Sequence, residues 1–141
     1  MKGVDGMIRL IKWRLDEKRR ELADLENMRD ELHSRISKIE AEMLAERNAA
    51  AASSPVIGFA YAGYAAAAMA RRRKLEASIH EIAASIDVKK EEVADFFREL
   101  KKFEVLAERR MQRERAAEGR REQANLDEIS LNMFRRAGLR R

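Results

Sequence analysis

The stretch SSPVIGFAYAGYAAAAMARRRK, residues 53–74, decides how the rest of the chain is read. It holds most of a 23-residue run without a charge, Asn48 to Ala70, in a chain of 141 residues of which 39% are charged. Such a run is a membrane span, a buried core or a surface kept apolar for a partner. A span needs about 20 strongly apolar residues. Pro55 to Ala70 supplies sixteen, among them many alanines and two glycines, so no span is expected. Ser53 and Ser54 can instead cap a helix whose first position is Pro55, where the missing N–H costs nothing. The run then contains a turn and the start of a second helix.

Working outward from that turn, the hydrophobic period is that of a coiled coil. Counting heptads from Ile8, the a and d positions are Ile8, Ile11, Leu15, Lys18, Leu22, Leu25, Arg29, Leu32, Ile36, Ile39, Met43 and Glu46. Nine of these twelve are apolar, and the residues between them are nearly all polar or charged. Only a narrow stripe therefore leaves water. A second register runs Leu75, Ile79, Ile82, Ile86, Lys89, Val93, Phe96, Leu100, Phe103 and Ala107, with nine of ten apolar. Beyond it the same positions read Arg110, Glu114, Ala117, Arg121, Ala124, Glu128 and Leu131, of which only three of seven are apolar.

Two seams joined by a short breaker predict an antiparallel hairpin. The expected fold is all-α: one elongated coiled-coil domain over residues 1–141, with helix 1 about 5–50, a turn about 51–54 and helix 2 about 55–136. At 1.5 Å per residue the helices would be about 65–70 Å and up to about 120 Å long. With the turn near Ala52, Ile8 is expected to face Phe96, and helix 1 ends opposite Leu100 to Ala107. The second seam fades at that same point. Residues 108–136 are therefore expected to extend beyond the hairpin, although Gly119, which costs about 1 kcal/mol relative to Ala inside a helix, is a place where this segment can fray.

Charge singles out the extension. Arg109 to Arg141 carries ten arginines and five acids, which equals the net charge of +5 of the whole chain. Pairs at helical spacing account for part of such a charge run, but the concentration of the excess at one end points to an acidic partner there. Catalysis finds no support: His33 and His80 are the only histidines, neither has a neighbour at ligand spacing, and Gly58 and Gly63 belong to no phosphate-binding loop. No enzyme, cofactor or metal site is expected. Cysteine is absent, so disulfides and thiolate sites are excluded and a reducing compartment is compatible. The opening MKGVDGMIRLIKWRLDEKRR is charged throughout and does not read as a secretory signal.

The segments MIRLIKWRLDEKRRELADLE, FAYAGYAAAAMARRRKLEASI, FFRELKKFEVLAERR and RREQANLDEISLNMFRR, in this order, resemble the flagellar export protein FliJ family in an alphaproteobacterial form. The likeness spans nearly the whole chain. Ser130 and the pair Met133-Phe134 depart from its usual ending. The resemblance implies a cytoplasmic, non-enzymatic component of the flagellar type III protein export apparatus, an antiparallel coiled coil similar to the central stalk of rotary ATPases. Its implied partners are the hexameric export ATPase, the cytoplasmic domain of the export gate, and export chaperones, with membrane association only through them.

Two site expectations follow. The basic ending assigns Arg120, Arg121, Asp127, Glu128, Arg135 and Arg136 to the ATPase contact, the acidic pair setting register. The turn assigns Phe59, Tyr61 and Tyr64, with Leu75 at the edge, to the gate contact: the alanines of helix 1 offer aromatics little to pack on, and exposed aromatics on a stiff scaffold make binding hot spots. The alternative is a basic helical hairpin that binds nucleic acid or the ribosome. Against it, Phe134 is the sole aromatic of a basic segment with five acids, which is no stacking platform.

Overall fold

The structure, a computed structural model, describes residues 2–52 and 55–139. It consists of two helices, α1 (Lys2–Ala51) and α2 (Pro55–Leu139), packed antiparallel as a coiled-coil hairpin, with no strand among the described residues. The sequence is rich in the strong helix formers Glu, Arg, Lys, Leu and Ala, and its β-branched residues are mostly spaced at seam positions. Pro55 opens α2; the capping residues Ser53 and Ser54 lie outside the described residues. The chain forms two compact units, Trp13–Phe96 and Met1–Lys12 with Phe97–Arg141.

In the unit Trp13–Phe96, three ion pairs between the helices set the register: Lys18 to Glu92 at 3.5 Å, Lys89 to Glu21 at 2.7 Å and Arg72 to Glu40 at 2.9 Å. These pairs place Leu15 opposite Phe96, Leu25 opposite Ile86, Ile36 opposite Leu75 and Met43 opposite Ala68. Leu15, Ile39, Ala68 and Ile86 are the buried apolar residues of this unit. The expected facing of Ile8 and Phe96 is thereby corrected by about a heptad. The fold-back axis lies not at Ala52 but within the first turns of α2, whose residues 55–60 are all exposed.

This register carries the second seam further toward the N-terminus of α2 than its large apolar residues reveal. Arg72, Ala68, Ala65 and Tyr61 continue the positions begun at Leu75, and Ala68 is 0% exposed. The register sets the Ala68 methyl group opposite Met43 of α1. Ala68→Leu is expected to overpack the layer and destabilise the hairpin by about 1–3 kcal/mol, whereas Ala66→Leu, at an exposed position, should change stability by less than about 0.5 kcal/mol. Thermal melts of the two variants check this; equal melts would contradict the register.

Lys18 and Lys89 interrupt the seam, and their charges are met in a four-residue cluster. Lys18 reaches Glu21 at 3.3 Å as well as Glu92, and Lys89 reaches Glu92 at 3.1 Å as well as Glu21. Hydrogen bonds from Lys89 and then Lys18 hold the Glu21 carboxyl below its ordinary value of 4.5, Lys89 lowers Glu92 likewise, and Glu21 raises Lys89. Both carboxyls have depressed folded-state values, so their contribution is complete above the ordinary value and is lost as pH falls through the lowered ones. The raised Lys89 contributes below its ordinary value and loses that contribution only at strongly alkaline pH. Moving from pH 7 to about pH 3 should lower the melting temperature of the native chain more than that of a Glu21→Gln, Glu92→Gln variant. An equal drop would mean that the cluster contributes nothing. A shifted register would also separate these charges, which gives the cluster a part in specifying the alignment.

In the unit Met1–Lys12 with Phe97–Arg141, Ile11 and Leu100 are the buried pair, and Val4 lies in a groove with Leu106 and Arg110. Among the described residues the pairing ends there. From Glu118 to Gly138 every residue of α2 is exposed, yet the helix runs unbroken through Gly119.

Candidate functional site

The uncharged run divides into two parts. On a helix beginning at Pro55, residues 61, 64 and 68 share one face, and in the structure that face turns to α1. Tyr61 and Tyr64 are half-buried, their ring centroids 6.4 Å apart and tilted by 39°. Both line a groove with Glu46, Ala49 and Ala50 of α1, and Tyr61 also lines one with Met43 and Arg47. The alanines of α1 offer no large side chain, but they leave room for the aromatic rings to cover the helix end. Leu75 is half-buried and lines a groove with Ile39.

Phe59 lies two residues before Tyr61, about 200° around the helix, and so on its opposite side. It is 85% exposed, and Val56, three residues earlier on the same face, is 78% exposed. The four residues expected to form one tip surface therefore have different surroundings. Two rings and Leu75 pack on α1, and Phe59 stands in water. Val56 did not emerge from the sequence reading, although its spacing from Phe59 was a readable signal.

At the basic end, Arg120, Arg121, Asp127, Glu128, Arg135 and Arg136 are all exposed. Gln123 donates a hydrogen bond to Asp127 at 3.1 Å. Helical geometry puts Arg121, Glu128 and Arg135 along the line of the fading seam, Arg120 and Asp127 on one flank, and Arg136 on the other. The six do not converge on a single spot.

Between the charges runs a face that the sequence reading missed. Leu126, Ile129 and Met133 follow the i, i+3, i+7 pattern and point half a turn away from the seam positions Ala124, Glu128 and Leu131. All three are exposed, Met133 at 66%, and Phe134 beside them at 78%. This stripe is no remnant of the hairpin seam. Its phase differs, and α1 does not reach it. The spacing was there to be found, but counting these residues in the hairpin's register concealed it.

His33 and His80 are exposed, and no group of acids and histidines able to hold a metal occurs among the described residues. Among those residues no helix is long and apolar enough to cross a membrane. The arrangement offers surfaces for binding, an apolar stripe with Arg136 at its edge and an outward aromatic at the turn. A family model described as Flagellar FliJ protein matches residues 8–139. Comparison with curated proteins and with solved structures returns no match.

Proposed function

The chain belongs to the flagellar FliJ family of export-associated proteins, and from that premise we propose that it couples the export ATPase ring to the export gate without being an enzyme. The observation that carries the proposal is the exposed stripe Leu126, Ile129 and Met133 on an arginine-rich helix that α1 leaves uncovered. Such a surface suits a protein partner with an apolar groove and acidic rim. The ATPase ring is assigned to this segment, with Arg136 at the edge of the stripe, Arg120, Arg121 and Arg135 on the other side of the helix, and Asp127 and Glu128 setting register. The gate's cytoplasmic domain is assigned to the turn, where Phe59 supplies the exposed ring. Export chaperones are escorted between the two, in the cytoplasm at the inner-membrane export apparatus.

The test is binding of the purified chain to the export ATPase and to the cytoplasmic domain of the gate. Phe59→Ala with Val56→Ala should weaken gate binding by about tenfold or more, leaving helicity, melting temperature and ATPase binding unchanged. Tyr61→Ala with Tyr64→Ala should instead lower the melting temperature, because those rings cover α1. Undiminished gate binding by the Phe59 and Val56 variant would remove the turn from the contact. Capture of neither partner would defeat the coupling role itself.

A further inference from the structure

We propose that the outward face of α2 between Phe97 and Arg109 is a docking groove for an acidic amphipathic helix of a partner protein. The face belongs to the unit Met1–Lys12 with Phe97–Arg141 and is distinct from both surfaces described above. Its apolar floor is Phe97 and Val105, 44% and 47% exposed, with Leu106, which also lines a second groove with Val4, at its far edge. Lys101, Lys102 and Arg109 border that floor, and no acid lines the groove.

The face is not left over from the hairpin. The seam positions of this segment, Leu100, Phe103 and Ala107, point toward α1, and Leu100 is buried against it. Val105 lies on the side of α2 opposite them, at the position of a heptad that ordinarily carries a charge. From Phe97 to Val105 the floor runs about 12 Å along the helix, which matches two turns of a second helix.

The occupant follows from the charges. Lys101 sits above the Phe97 ring at 5.3 Å and reaches Glu104 at 3.5 Å. Lys102 and Arg109 have no carboxylate within ion-pair distance among the described residues. A helix carrying leucines at heptad spacing with glutamates on either side would fill the floor and give each cation a carboxylate. A bilayer fits less well, because Lys101 stands between Phe97 and Val105 in the middle of the floor and its ammonium would have to enter the apolar layer.

The probe is a helical peptide of about 20 residues with leucines in heptad spacing and flanking glutamates, titrated into the full chain. An isomer of the same composition with its leucines dispersed is the first control. Variants of the chain supply the rest: Val105→Asp, Lys101→Glu with Lys102→Glu, and Arg120→Glu with Arg121→Glu in the tail. The expected result is micromolar binding of the patterned peptide, weakened about tenfold by each of the first two variants and by dispersing the leucines, and unchanged by the tail variant. Circular dichroism verifies that helicity is kept; should Val105→Asp lose helix, the lysine variant decides alone. Equal binding of both peptides, no effect of the groove variants, or an equal loss with the tail variant overturns the proposal. So does binding to phosphatidylglycerol vesicles that depends on Val105 while the peptide fails to bind, which would make the face a membrane surface.

Discussion

Replacing Ile86 by alanine is expected to destabilise the hairpin by about 2–4 kcal/mol. The side chain is 3% exposed, and the seam that holds it is only two helices wide. The register sets Leu25 opposite, so truncation removes one half of a layer that no third element can refill. Glu91→Ala, at an exposed position of the same helix, should change stability by less than about 0.5 kcal/mol. Denaturant melts followed by circular dichroism measure both. Because Leu25 and Ile86 form one layer, the double alanine variant should cost measurably less than the two single costs added together. Indistinguishable melts for Ile86→Ala and Glu91→Ala would show that the heptad positions are misassigned.

The second large effect is expected at the other unit and in a different measurement. Ile129→Asp with Met133→Asp should weaken binding of the export ATPase by about 30-fold or more, the scale of losing a central apolar anchor from an interface. It should leave the hairpin's melting transition in place, because every residue from Glu118 to Gly138 is exposed. Reversing the charges of Arg120, Arg121, Arg135 and Arg136 should have a smaller effect that fades as salt rises, since exposed charges are screened and apolar burial is not. Binding and ATPase stimulation that survived removal of residues 109–141 would place the coupling element elsewhere.

These two predictions differ in how much of each was readable from the residues. The seam from Ile8 to Met43 and that from Leu75 to Ala107 stood out because a two-helix interface dries only one stripe. Every other position can then be charged, and the contrast is high. The same logic failed around the turn. In the run from Ala65 to Ala70 the buried and exposed residues are alike in type, so nothing in the composition marks Ala68 as buried and Ala66 as exposed. Tyr61 and Tyr64 likewise read as free surface when judged against small neighbours, although small neighbours are what admits a ring between two helices.

The sequence by itself determined that the chain is two long helices, that they fold back at the uncharged run, and that the positive charge is concentrated at one end. These properties rest on local preference and period, which each segment carries within itself. Only the tertiary structure decided the register, through the pairs Lys18–Glu92, Lys89–Glu21 and Arg72–Glu40. With the register came the burial of Ala68, the opposite fates of Phe59 and Tyr61, and the isolation of the stripe at Leu126, Ile129 and Met133. Whether an apolar face is core or surface depends on what stands across from it, and that is a property of two segments that no period within one of them contains.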